Sequence, residues 1–228
     1  MTEPSIRDFA DNATDPKVRG YLHLPVTPNH DGLVLTHGAG SNAQAPLLIA
    51  LAEAFSASGF TVLRCDLPSR QSRSFGPLGP AVAARDRAGL KNALAAMNKF
   101  CSRLFLGGHS YGGRQSSMLC AELFKESPDL VTGLLLLSYP LHPPRKPEKK
   151  RTQHLPELHT PALFVSGTSD PFGSIAEIEQ AIKMIPARTK LLPIEGAGHD
   201  LGFKGKANRE ELPQQILSEF TRFLELSS

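Results

Sequence analysis

Apolar residues along this chain fall into two alternating patterns. Short, nearly unbroken runs occupy residues 21–24, 33–36, 61–65, 104–106, 133–138, 162–166 and 190–194. Their length and β-branched content predict strands. Residues 133–138 carry four consecutive leucines, Leu134 to Leu137, with no polar alternation. That suits a strand covered on both faces, as in a parallel sheet.

Between these runs the apolar positions recur at helical spacing. Residues 46–58 place Leu47, Leu48, Leu51, Ala54 and Phe55 on one face, and Gly59 suits the residue just past a helix end. Residues 81–100 and 114–125 predict further helices. Ser174 and Glu177 have the form of a capping box opening a helix to Met184. Asn208 and Glu211 have the same form before a C-terminal helix that ends near Leu226 and buries Ile216, Leu217, Phe220, Phe223 and Leu224. Strands alternating with helices predict one α/β domain over residues 1–228, a mostly parallel sheet with helices on both faces. Residues 68–80 and 140–161 read as irregular segments. Both follow strand carboxyl ends, where open α/β sheets bind ligands.

Composition narrows the class. The chain has 228 residues, 40% hydrophobic and 21% charged, the balance of a globular domain. A net charge of +3 gives no ground for a nucleic-acid or membrane partner. The basic run from Arg145 to Arg151 reads as a solvated loop. Three cysteines without regular spacing form neither a disulfide framework nor a zinc site. The first residues carry no signal-peptide pattern, and no run approaches the roughly 20 apolar residues that cross a bilayer. A cytoplasmic location is expected. The histidines show no metal-ligand spacing, so no metal and no cofactor are expected.

The chemistry centres on Gly108-His109-Ser110-Tyr111-Gly112, a G-x-S-x-G string at the end of a predicted strand and just before a helix. There the serine sits on a sharp turn with its hydroxyl exposed. A serine needs a base and a group that orients the base. Asp170 follows the strand 162–166 and suits the orienting acid; His199 follows the strand 190–194 in a glycine-rich loop and suits the base. The order Ser, acid, His is that of one known hydrolase arrangement. Backbone N–H groups of Tyr111 and of Ala39, in the loop His37-Gly38-Ala39-Gly40, suit an oxyanion hole. Tyr111, Tyr139, Leu141, Phe172 and Phe203 lie near predicted strand ends and are candidates to line an acyl pocket. His37 and His109 are expected to pack locally.

Together, Thr36–Gly40, Gly108–Gly112, Gly167–Asp170 and Gly196–His199 resemble the α/β-hydrolase superfamily. Within it the chain resembles small dienelactone-hydrolase-like predicted hydrolases, with Ser110 where dienelactone hydrolase itself uses cysteine. The resemblance implies a three-layer fold with little or no cap domain, because residues 140–161 are too few for a helical cap. It also implies a serine hydrolase of esters or thioesters acting on a small acyl substrate. Two other readings stand beside it. One is a non-catalytic interaction module on the same fold. The other is a dinucleotide-binding protein, since Gly38-Ala39-Gly40-Ser41-Asn42-Ala43 matches G-x-G-x-x-A and Asp66 ends the next strand.

Overall fold

The computed structural model describes residues 4–72, 79–203 and 211–225. The eight strands are β1 (Ser5–Asp11), β2 (Val18–Leu24), β3 (Asp31–Thr36), β4 (Thr61–Cys65), β5 (Arg103–His109), β6 (Gly133–Leu137), β7 (Ala162–Gly167) and β8 (Thr189–Ile194). They form one sheet in the order β1-β2-β4-β3-β5-β6-β7-β8. Contacts of β2 with β1 and β4 are antiparallel, and every pair from β4 to β8 is parallel. This is the expected class of fold, with an antiparallel edge added at one side.

Helices α1 (Pro46–Ala57), α2 (Pro68–Ser72), α3 (Pro80–Met97), α4 (Tyr111–Leu123), α5 (Ile175–Ile182) and α6 (Leu212–Glu225) complete the chain, with a short 3-10 turn at Leu155–Glu157. Each face of the sheet is covered. Leu134 and Leu136 of β6 join one core with Leu90, Leu94 and Leu119 of α3 and α4. Leu135 and Leu137 join the other with Leu48, Phe55 and Phe220 of α1 and α6. The leucine run thus feeds both cores, one face per alternate residue. On the α1–α6 side Phe55, Phe60, Phe105 and Phe220 pack edge-to-face or tilted, with ring centroids 5.2–5.9 Å apart.

The differences from expectation are local. Strand β1 has no apolar signature, because its sequence SIRDFAD lies on a largely exposed edge. Helix α2 forms inside a segment that reads as irregular, and residues 73–78 of that segment, Ser74, Gly76 and Pro77 among them, lie outside the described residues. Helix α4 begins at Tyr111, three positions before its apolar spacing starts, because it grows directly from the serine turn. The Ser174 capping box is present, Ser174 Oγ accepting from Glu177 N–H and Glu177 accepting from Ser174 N–H at 3.0 Å. Asn208 and Leu226 lie outside the described residues. Between β6 and β7 the chain holds only the 3-10 turn, so no helical cap covers the strand ends there.

Candidate active site

Strands β3 and β5 are neighbours, but the chain leaves β3 toward β4 on one side and leaves β5 toward β6 on the other. Their carboxyl ends therefore open a crevice at a switch point, where this class of sheet binds ligands. The loops 37–45 and 109–111 meet there.

Ser110 stands at the apex with φ 52° and ψ −118°, a conformation that non-glycine residues rarely adopt. Its N–H donates to Leu137 O at 2.8 Å, and its carbonyl accepts the N–H of Arg114 at 3.0 Å. The turn is held by sheet on one side and helix on the other. Its glycines are required by close approach. A Cβ on Gly108 would lie 2.8 Å from Gly113 N, and one on Gly112 would collide with His37 O. Gly113, outside the pentapeptide, is equally crowded: its Cβ would lie 2.6 Å from Gly108 O.

His199 lies across the crevice. Its Nε2 is 2.8 Å from Ser110 Oγ, and its Nδ1 is 2.8 Å from Asp170 Oδ2. A carboxylate can only accept, so Nδ1 carries the proton and Nε2 presents a lone pair to the serine O–H. Asp170 is buried, and its Oδ1 also accepts the N–H of Phe172 at 2.9 Å. The Phe172 ring stacks on the imidazole at 4.1 Å between centroids. His109 Nε2 donates to the His199 carbonyl at 2.7 Å, which anchors the other end of the residue. The two loops that carry acid and histidine are stitched together: Ser169 N–H donates to Ala197 O at 2.9 Å, and Gly196 N–H to Thr168 Oγ1 at 2.9 Å.

The loop after β3 is clamped by His37. Leu67 N–H donates to His37 Nε2 at 3.1 Å, so the ring proton sits on Nδ1 and donates to Gly38 O at 2.9 Å. Burial lowers the His37 pKa, in keeping with this neutral form. Ala39 follows as an exposed residue. Ala39 and Tyr111 border the same cavity as Ser110 and His199, a space of about 440 Å³. That volume suits a small molecule.

Residues 29–225 match the sequence profile of a family described as the alpha/beta hydrolase domain. The chain belongs to this family. Solved structures share the fold of this α/β-hydrolase. Dienelactone hydrolase from Anabaena variabilis superposes with a TM-score of 0.74 at 22% identity, over 97% of this chain and 99% of that one. Est1E from Butyrivibrio proteoclasticus gives 0.72 at 16% identity, over 96% and 99%. XC6422 from Xanthomonas campestris, described as an α/β serine hydrolase without lid, gives 0.71 at 16% identity, over 98% and 96%. Among curated proteins, polyketide synthase ThaQ of Burkholderia thailandensis is 48% identical over 48 residues. That stretch is 21% of this chain, and the chain spans only 2% of the length of that protein.

In this α/β-hydrolase Phe172 and Phe203 border the cavity, whereas Tyr139 and Leu141 do not. Ser138 turns the chain with φ 47°, and both following side chains point into the core, Tyr139 2% exposed and Leu141 0%. The Tyr139 hydroxyl is used up as a donor to Arg151 O at 2.7 Å. The dinucleotide reading also fails on geometry. Residues 38–45 do not open a helix, since α1 starts only at Pro46, and the Asp66 carboxylate accepts the N–H of Ala43 at 2.7 Å.

Among the described residues no group of three or more His, Cys, Asp or Glu side chains could hold a metal ion, and no helix is long and apolar enough to cross a membrane. The three cysteines are free and buried, and burial pushes the thiols of Cys65 and Cys120 up to about 12.

Two residues escaped sequence reasoning. Asp86 is fully buried on α3 and accepts from Tyr111 OH (2.8 Å), Ser69 N–H (2.8 Å) and Ser69 Oγ (2.9 Å). Burial, then the Asp86 charge, raises the Tyr111 pKa, so the phenol stays protonated as the donor. The available signal was an Asp on the apolar stripe that continues through Leu90, Ala93, Leu94 and Met97. The other is Arg114, a lone cation one helical turn past Ser110.

Proposed function

We propose that this chain is a serine hydrolase of carboxylic esters or thioesters. The observation that carries the reading is the unbroken relay from Ser110 Oγ to His199 Nε2 and from His199 Nδ1 to Asp170, 2.8 Å at each step, at the wall of an open cavity.

As Ser110 Oγ attacks the acyl carbon, its proton passes to His199 Nε2. Asp170 holds the ring in the accepting tautomer and stabilises the imidazolium. The N–H groups of Ala39 and Tyr111 meet the negative charge on the carbonyl oxygen, each such donor being worth about 3–4 kcal/mol in the transition state. His199 then gives the proton to the departing alcohol or thiol, leaving an acyl ester on Ser110. Water attacks that ester as His199 takes its proton, and His199 returns the proton to Ser110 Oγ as the acid leaves. These steps require only the named side chains, two backbone donors and water. A single-domain, cytoplasmic enzyme for small acyl substrates fits this chemistry and the modest cavity.

Two measurements test the reading. A fluorophosphonate should label Ser110 in the folded protein and leave Ser110→Ala unlabelled. A graded panel of p-nitrophenyl esters and acyl thioesters should be turned over. A folded chain that gives no adduct and no turnover refutes it.

A further inference from the structure

Building on the serine-nucleophile reading above, we propose that Arg114 and Arg151 form an anion-binding sector of the cavity. It selects esters or thioesters that carry a carboxylate or phosphate on one side of the scissile carbonyl.

Arg114 stands on α4 four residues after Ser110, hydrogen-bonded to its carbonyl. Arg114 borders the same cavity as Ser110. Arg151 reaches the same cavity from the β6–β7 connection. Residues 145–150 of that connection are exposed, as expected for a solvated basic loop, but Arg151 turns inward. Its backbone is fixed on both sides, N–H to Leu141 O at 2.8 Å and carbonyl to Tyr139 OH at 2.7 Å. One guanidinium N–H donates to Pro140 O at 3.2 Å. A bond of 2.8 Å between His154 Nε2 and Ser117 Oγ ties the connection to α4.

The two guanidiniums lack what the neighbouring cation has. Arg87 is paired with Glu122 at 2.8 Å, while neither Arg114 nor Arg151 has a carboxylate within ion-pair distance among the described residues. The Nε of Arg114 is buried with no hydrogen-bond partner among the described residues. Burial, and then the charge of Arg114, lowers the Arg151 pKa, so the two cations feel each other. Both side chains are half-buried and Arg114 lies against the Tyr139 hydroxyl, so neither positive charge is neutralised by a neighbouring carboxylate. Among the described residues Asp200 is the acidic side chain bordering the cavity, on the His199 loop, where it accepts the N–H of Gly202 at 3.0 Å. The same cavity is also lined by the apolar side chains of Ala45, Leu47, Leu48 and Phe203. A substrate with an anion on one arm and a hydrocarbon on the other satisfies both kinds of lining. A planar guanidinium fork matches carboxylate and phosphate oxygens.

The test compares mono-p-nitrophenyl glutarate with p-nitrophenyl pentanoate, alike in length and differing in terminal charge. The wild-type chain should favour the glutarate ester in kcat/KM by about 10-fold or more, the effect of one charge-assisted hydrogen bond. That ratio should collapse toward one in Arg114→Met and in Arg151→Met. It should hold in Lys149→Met, an exposed cation of the same connection that does not border the cavity. Should Arg114→Met fail to fold, Arg151→Met alone decides. A ratio near one in the wild type, or equal losses in Lys149→Met and Arg151→Met, overturns the proposal.

Calorimetry on Ser110→Ala separates binding from turnover. Monomethyl glutarate should bind, dimethyl glutarate should not, and adding Arg151→Met should abolish the binding. Displacement by inorganic phosphate or by glutarate, whichever is stronger, names the preferred anion, and displacement by neither overturns the sector. Arginine-dependent binding without any hydrolysis sinks the serine reading and keeps the sector. Equal hydrolysis of both esters without anion binding does the reverse.

Discussion

Replacing Asp170 by Asn tests the relay at its least accessible member. Both carboxylate oxygens accept from His199 Nδ1, Oδ2 at 2.8 Å and Oδ1 at 3.0 Å, and Oδ1 also accepts from Phe172 N–H. An amide has one oxygen and cannot fill both positions. If its oxygen keeps the Phe172 N–H, its NH₂ faces His199 Nδ1 at the 2.8 Å position and donates there. The ring proton then moves to Nε2 and blocks it as a base toward Ser110. If the amide flips, the Phe172 N–H meets another donor inside a buried site, at about 1–3 kcal/mol. Even the flipped form lacks the negative charge that stabilises the imidazolium, worth about 1.5–3 kcal/mol for a hydrogen bond to a charged group. Together these raise the barrier by about 3–6 kcal/mol, or roughly 10²–10⁴ in kcat, and the tautomer trap in a like triad reaches about 10⁴. The assay is kcat for p-nitrophenyl acetate beside the rate of fluorophosphonate labelling, with a thermal melt as the folding control. A fall of less than tenfold, with labelling unchanged in a folded variant, would refute the role of Asp170.

Other substitutions probe the scaffold. Ser110→Gly should abolish turnover and melt above Ser110→Ala by a few degrees, because backbone strain of about 1–3 kcal/mol is relieved against a smaller entropic cost of glycine. Equal melting temperatures would remove the strain argument. Gly112→Ala drives a methyl group into His37 O and should displace the Ala39 loop, cutting kcat about 100-fold as expected for a misplacement near 1 Å; an unaffected kcat counts against that loop as the oxyanion donor. Burial, with Arg64, lowers the pKa of His23 to about 4, and burial, with Arg114 and Arg87, does the same for His154. Both rings resist protonation in the fold, so the unfolded chain binds more protons below about pH 6.5 and stability falls from there toward pH 4. The melting temperature should drop across that window and drop less in His154→Asn; matching slopes would exclude His154.

What was legible in the sequence was what depends on short-range pattern. The four leucines of β6 announce a strand buried on both faces, and each of its faces feeds a core. Ser110, Asp170 and His199 could be singled out because each follows a strand, and the fold brings the three side chains within hydrogen-bond distance in one chain. Strand β1 escaped because SIRDFAD has no apolar alternation to read; pairing with β2, not burial, makes it a strand. Tyr139 and Leu141 were misplaced for a different reason. Proximity to a strand end fixes where a backbone goes, whereas the positive φ of Ser138 decides where the next side chains point. Asp86 and Arg114 were visible only as polar intruders on helical faces, and their partners come from other elements.

The serine and the histidine are mounted on parts of unequal local stability. The peptide of Ser110 is bonded into both the sheet and α4, so its N–H should exchange with solvent only through global unfolding. His199 is held by loop-to-loop bonds, a stacked phenyl ring and the ring of His109. Partial openings of the fold therefore separate the pair from the histidine side. Warming or mild denaturant should silence the serine while the sheet is still native, and cooling should restore it without refolding.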